Sequence, residues 1–221
     1  MKQTVDWHSH WIRKSPGFHE GQVNSYLQQF LPLYNLQPGD TVFMPLCGKA
    51  VDILWLSQQG YHVIGVELSD VAIQSFFEES GIGFEKEELE KLVVYKAENI
   101  TLYQGDYMNL QDKYLKNCKL VYDRASIVAI ESFNRKTYKR KMLEIIPAAT
   151  PMLLVTLDYD QNIMQGPPFS VPVSEITQLY QPEYKLELLQ SSEQIEERPK
   201  WRDIGLQSLL ESALRLSPNE I

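Results

Sequence analysis

Thiols are scarce: two cysteines, Cys47 and Cys118, stand far apart in 221 residues. No disulfide framework and no zinc-type cysteine spacing can be drawn from them. Histidine is nearly as sparse, with four in the chain. His8 and His10 alternate, would not share a helical face, and lack a third ligand, so no metal site is expected. Basic charge is in deficit, leaving a formal net charge of −8, which argues against nucleic acid and against a polybasic membrane contact. No apolar run approaches transmembrane length, and MKQTVDWHSHWIRK lacks the apolar core of a signal peptide. A cytoplasmic protein is the expectation. Repeats, low-complexity tracts and linkers are also missing. With 43% hydrophobic residues, the chain is long enough for one large core, so a single domain over 1–221 is expected.

What is present is alternation. Thr41–Met44 and Tyr61–Glu67 are β-rich, with a helix between them near Val51–Gln59 and another after them over Asp70–Glu79. Ser69 or Asp70 is the cap expected for that second helix. Lys91–Lys96, Ile100–Gln104, Leu120–Asp123 and Met152–Asp158 read as strands, and Val23–Leu33, Arg135–Ile146 and Val173–Tyr180 as helices. Lys86–Lys91 (KEELEK) reads as a solvated charged face. Tyr184–Leu189 and Gln207–Leu216 fit a strand about as well as a helix. Alternating β and α elements require right-handed crossovers and a largely parallel sheet with helices on both faces. Ligands of such sheets lie outside the carboxyl ends of the strands, so residues just after Met44, Glu67, Gln104 and Asp123 are expected to converge on one crevice.

The stretch FMPLCGKAVDILWLSQQGYHVIGVELSD, Phe43 to Asp70, holds the chemistry. Gly48 in its loop lets the backbone approach a ligand, and the following helix N-terminus offers oriented N–H groups. Glu67 closes the next strand nineteen residues after Gly48, the spacing at which a carboxylate accepts from both ribose hydroxyls of an adenosine ligand. The triple-glycine pattern of a dinucleotide loop is absent, and a P-loop fails because Phe43 stands where its first glycine should be and Ala50 follows Lys49. An adenosine ligand without phosphates, S-adenosylmethionine, fits what is left. Cys47 in this loop reads as a small packing residue, since transfer from a sulfonium needs no enzyme nucleophile.

The same stretch, together with WHSHW and GFHE near the start, YDRASIVAI from Tyr122 and QGPPFSVP from Gln165, resembles the thiopurine S-methyltransferase family. These matches span nearly the whole chain in the expected order. The resemblance implies a Rossmann-like class I methyltransferase fold, α/β, with a seven-stranded, mostly parallel sheet and an antiparallel last strand. That makes Gln207–Leu216 a strand. It also implies a helical cap over the cofactor site at 1–37. The aromatic and glycine-containing sequence placed before the first strand, Trp7–Glu20, is expected to close over the bound cofactor. By resemblance Trp11 lies against the methionine end of the cofactor, Leu46 contacts it from the first loop and Glu67 takes the ribose. Arg124 lies near its carboxylate end, and Asp106, followed by Tyr107, stands where the fold contacts adenine. Phe18 and Arg198 face the substrate, although KWRDIG departs from the family pattern after EERPK and leaves Lys200 and Arg202 as rivals to Arg198. Trp7 stays structural.

The activity implied is in-line transfer of methyl to the sulfur of an aromatic or heterocyclic thiol, with S-adenosylhomocysteine leaving. Alignment and exclusion of water are then the protein's main contributions. An acidic thiol beside an arginine is already ionised, so no general base is assigned. Two other readings stand beside this one: the same fold acting on selenium or tellurium anions, halide or another small nucleophile, and a non-catalytic S-adenosylmethionine-binding module. Size and resemblance suggest a monomer.

Overall fold

The structure, a computed structural model, describes Val5, Trp7, Trp11 and residues 21–219. Its sheet grows from β1 (Thr41–Met44), a run of four residues with all of them buried, as a parallel strand covered on both faces should be. The others are β2 (His62–Glu67), β3 (Glu85–Glu88), β4 (Val93–Ala97), β5 (Ile100–Gln104), β6 (Cys118–Arg124), β7 (Met152–Asp158), β8 (Tyr184–Glu193) and β9 (Leu210–Pro218). They form one sheet in the order β3-β4-β5-β2-β1-β6-β7-β9-β8. The central strands β5, β2, β1, β6 and β7 run parallel. The last strand, β9, inserts antiparallel between β7 and β8, as the resemblance implies.

The sheet has nine strands, where seven were expected. The excess lies at one edge, where β3 pairs with β4 and β4 with β5, both antiparallel. The surprise is β3: its sequence is EKEE and every residue is exposed. A strand with no apolar face carries no period-two signal, so the charged run was legible as solvated but not as paired. Its charges also suit an edge, where they discourage pairing with another chain.

Six helices complete the described fold: α1 (Ser25–Phe30), α2 (Val51–Gln58), α3 (Asp70–Ser80), α4 (Ser132–Ile145), α5 (Val173–Tyr180) and α6 (Pro199–Asp203). Alternate strand residues divide between two cores. Phe43, Ile64, Val66, Val121, Met152 and Leu154 pack with Tyr138, Met142 and Ile145 of α4 and with Ile176 and Tyr180 of α5. Val42, Met44, Val63, Leu120, Leu153 and Val155 pack with Leu27 of α1, Ile53 and Leu56 of α2, and Ile73, Phe76 and Phe77 of α3. Helices therefore cover both faces. Each such side chain contributes roughly 1.5–3 kcal/mol on burial, and a one-residue slip would exchange the two sets, so register is firmly specified.

Two helix starts refine the expectations. The helix expected over Val23–Leu33 begins at Ser25, because Asn24 accepts from the N–H groups of Tyr26 and Leu27. It tightens into a 3-10 turn at Leu31–Tyr34, where Pro32 has no N–H to continue the α pattern. Ser69 takes the cap position of α3, but its side chain makes no capping bond.

Candidate active site

The carboxyl ends of β5, β2, β1 and β6 lie side by side, so the crevice expected from the sequence exists. At its centre the chain leaves β1 through Pro45–Ala50. Cys47 N–H donates to Val66 O at 3.0 Å and Ala50 N–H to Cys47 O at 3.2 Å. Ser126 Oγ donates to Pro45 O at 2.5 Å, fastening this loop to the end of β6. Leu46 sits at φ 44° and Ala125 at φ 60°, both in the left-handed region, which disfavours any residue with a Cβ. Backbone strain of this kind gathers at ligand sites, and here it falls at the ends of two neighbouring parallel strands.

Two glycines in this crevice are required by contact. Gly48 has φ 53°, and a Cβ there would come within 2.8 Å of Trp11 Cζ2. The Trp11 indole therefore lies over the loop at Gly48. Gly65 on β2 admits Cys47: a Cβ would meet the sulfur at 2.7 Å. Burial, and then the charge of Glu67, push the Cys47 thiol well up, so it is a packing group and not a nucleophile.

Glu67 is 6% exposed and holds the loops together. Its Oε2 accepts from Gly48 N–H at 2.9 Å and its Oε1 from Ser69 N–H at 2.8 Å. Burial raises its carboxyl above the usual range, and bonds from Ser69, Gly48 and Leu68 oppose that rise. A carboxylate has about four acceptor positions, and those not taken by these backbone N–H groups leave capacity for a hydroxyl donor. Asp106 is exposed just beyond β5, where its Oδ1 accepts from Met108 N–H at 2.8 Å. Tyr107 beside it is a core residue, its hydroxyl donating to Tyr138 O at 3.4 Å.

The other half of the crevice is an open cavity beside the end of β6. Arg124 and Ala125 line it from the end of β6, and Val155 and Leu157 from β7. Arg198 and Trp201 come from the excursion between β8 and β9, and Glu211 from β9 itself. The sequence thus brings Arg124 and Arg198 to one wall. Arg202, its rival, is exposed and pairs with Glu196 at 2.7 Å, and Lys200 is exposed; neither lines this cavity. Phe18 lies outside the described residues, as do His8 and His10.

Three functional supports escaped the sequence reading. Asp123 is fully buried under the end of β6. Its Oδ1 accepts from Ile127 N–H at 3.0 Å and its Oδ2 from Tyr138 Oη at 2.8 Å, and burial pushes its carboxyl up to about 6. Arg135 is 3% exposed. Its Nη1 reaches both Glu175 oxygens at 2.7 Å, while Nε and Nη2 donate to Ile130 O and Ser170 O, anchoring the QGPPFSVP segment. Glu193 fixes both ends of the 194–209 excursion. Its Oε1 accepts from Gln194, Ile195 and Leu209 N–H groups and its Oε2 from Ser208 Oγ at 2.6 Å. A polar residue on an amphipathic helix or at a strand end gives no local sign of such partners, since they lie up to 40 residues away.

Comparisons with known proteins agree with this geometry. Among solved structures, the fold is similar to a Haemonchus contortus phosphoethanolamine N-methyltransferase bound to S-adenosylhomocysteine, with a TM-score of 0.68 at 10% identity over 99% of this chain and 61% of that one. It is also similar to a TehB-like S-adenosylmethionine-dependent methyltransferase from Corynebacterium glutamicum, at 0.55 and 13% over 96% of both chains. In sequence, a thiopurine S-methyltransferase of Pseudomonas putida is 40% identical across 96% of this chain and 97% of its own length. One of Marinobacter nauticus is 40% identical across 91% and 92%. A family model described as thiopurine S-methyltransferase matches residues 2–219, and the chain belongs to that family.

Proposed function

We propose that the protein methylates the sulfur of aromatic or heterocyclic thiols, holding S-adenosylmethionine over β1, β2 and β5 and the thiol in the cavity beyond β6. Methyl transfer dependent on S-adenosylmethionine follows from the family. When bound, that cofactor supplies an activated methyl on a cationic sulfonium. In this reading Glu67 accepts from the ribose hydroxyls, Asp106 stands by the adenine, and Trp11 and Leu46 flank the methionine end, with Arg124 near its carboxylate. The helical cap 1–37 covers the site, and Trp11 over Gly48 supports that placement. Phe18 packs on the acceptor.

The observation that carries the acceptor assignment is the cavity itself, where Arg124 and Arg198 meet Trp201, Val155, Leu157 and Leu209. The Trp201 indole and the apolar Val155, Leu157 and Leu209 side chains suit an aromatic ring, and the Arg198 guanidinium favours its sulfur in the ionised, nucleophilic form. With the thiolate already formed, the residues contribute alignment and dryness, and no side chain is needed to take a proton. Size and resemblance favour a monomer, and composition a reducing cytoplasm; no described helix is long and apolar enough to cross a membrane.

The test is turnover of a heterocyclic thiol of the mercaptopurine type by wild type, Arg198→Ala and Arg202→Ala. We expect Arg198→Ala to lose about tenfold or more in kcat/KM while its affinity for S-adenosylhomocysteine holds, the size of effect of removing one charge-assisted contact. Arg202→Ala should stay near wild type. Absence of thiol methylation by wild type would refute the assignment, and equal losses in the two variants would refute the placement of Arg198.

A further inference from the structure

Just past the end of β8, Gln194 lines the acceptor cavity together with Val155, Leu157, Trp201 and Leu209. Among the described lining residues it is the uncharged side chain that offers both a donor and an acceptor. Its backbone is fixed: the N–H donates to Leu209 O at 2.8 Å, and the carbonyl accepts from Glu197 N–H at 3.0 Å. The amide is fixed as well. Its Nε2 donates to Ser192 Oγ at 3.0 Å, and Ser192 Oγ is bonded in turn to Tyr26 Oη. Tyr26, a buried residue of α1, donates its single hydroxyl proton to Glu211 O at 3.1 Å. Ser192 must therefore donate to Tyr26, which leaves its oxygen to accept. Only the NH2 end of Gln194 can meet an accepting hydroxyl, so the amide oxygen is turned away from Ser192. Among the described residues nothing else bonds to this side chain, and its oxygen and second N–H remain for a ligand.

We propose that Gln194 is a specificity-determining residue that reads the ring of the acceptor, its amide matching a nitrogen heterocycle with a donor and an acceptor along one edge. The inference rests on the thiol-methylation reading and deepens it by naming the substrate class: thiols of nitrogen heterocycles, in preference to thiols of purely carbocyclic rings. A primary amide meets such an edge in its own plane, accepting from one group and donating to the next, as glutamine does on adenine. A carbocyclic ring in the same place would strip water from the amide and return no bond. A site built on hydrogen bonds rejects an analogue that lacks them in this way. The relay through Ser192 and Tyr26 sets the amide before the acceptor arrives, so little ordering is left for binding to supply.

The experiment measures kcat/KM for 6-mercaptopurine and for 2-naphthalenethiol, fused-ring thiols with and without ring nitrogens, at saturating S-adenosylmethionine. Intrinsic reactivity differs between the two thiols but is common to every variant, so the ratio of the two constants is compared across variants. Gln194→Leu keeps the bulk and removes both polar groups; it should lower the ratio of mercaptopurine to naphthalenethiol by about tenfold, the order of two neutral hydrogen bonds. Ser192→Ala leaves the amide in place but unfastened, and should lower the ratio by about threefold. Affinity of each variant for S-adenosylhomocysteine reports an intact fold. An unchanged ratio in Gln194→Leu overturns the proposal, and one in Ser192→Ala overturns the part given to the relay. A wild type that methylates naphthalenethiol alone also overturns the role of Gln194, while the thiol-methylation reading stands. If wild type methylates mercaptopurine alone, the readout is the loss of that activity in Gln194→Leu at unchanged cofactor affinity, and no loss overturns the role. If neither thiol is methylated, the underlying acceptor reading falls and this one with it.

Discussion

The two halves of the crevice are built by different means. Over β1, β2 and β5 the site is backbone: a loop with Leu46 and Gly48 at positive φ, a carboxylate on two backbone N–H groups, and an indole against a glycine. Beyond β6 it is side chain: two arginines, a glutamate and a tryptophan delivered from positions as far apart as Arg124 and Glu211. A backbone site tolerates few changes and suits a ligand that never varies. A side-chain site on an excursion between strands can be altered residue by residue without disturbing the sheet, which suits the partner that differs between enzymes of one fold.

The comparison breaks first at Glu67. Glu67→Ala removes the acceptor proposed for the ribose and also frees Gly48 and Ser69 N–H groups. Hydrogen bonds to a charged group contribute about 1.5–3 kcal/mol each, so calorimetry with S-adenosylhomocysteine should show a loss on the order of a hundredfold or more. Acceptor KM, measured where turnover survives at raised cofactor, should change little. Unchanged cofactor affinity would take the ribose role from Glu67 and erase the division between the halves.

Asp123 tests the seam, since it lies under the strand end that carries Arg124. Its carboxyl, pushed by burial up to about 6, is raised above the unfolded value near 3.9. The stability it contributes is therefore complete below about pH 4 and lost as pH rises through about 6. That shift corresponds to roughly 3 kcal/mol. Asp123→Asn cannot titrate, so the stability of wild type relative to this variant should fall by about that amount between about pH 4 and 7, read by urea unfolding. Parallel profiles would mean that the bonds from Ile127 N–H and Tyr138 Oη offset the whole effect of burial.

How much was legible follows the same division. Gly48, Glu67 and the strands around them are readable because a tight turn, a spacing and a buried apolar run are local and one-dimensional. Met152–Asp158 and Val173–Tyr180 fall where the sequence places them for the same reason. Arg124 is placed at the crevice by following the strand that ends at Asp123, but its role, like Arg198 itself, was nameable only through resemblance; which of Arg198 and Arg202 lines the cavity depends on the turn into α6, whose five residues carry no buried side chain to fix their phase. Glu211, Asp123 and Arg135 gave no sign at all. Each is a charged residue whose meaning is its burial or its company, and both are set by tertiary contacts. The β3 strand failed for the opposite reason, since nothing about it is buried.

The smallest effect is the sharpest test of the acceptor half alone. Glu193 is exposed, and bonds from Ser208 Oγ and Leu209 N–H hold its carboxyl below the usual range. The clasp is thus intact above ordinary carboxylate pKa values and is lost only as pH falls through the lowered one. At neutral pH it ties the start of the 194–209 excursion to its end, and that excursion carries Gln194, Arg198, Trp201 and Leu209 into the cavity. Exposed bonds are individually weak, so Glu193→Ala should raise acceptor KM by only about fivefold, with kcat and the affinity for S-adenosylhomocysteine close to wild type. Glu193→Gln retains the oxygen that accepts the three backbone N–H groups and should recover most of the loss. A purely structural role would lower stability and active fraction without moving KM, or would weaken cofactor binding in step; either pattern would show that the excursion is held by α6 and the Leu206–Leu209 contacts instead of by the carboxylate.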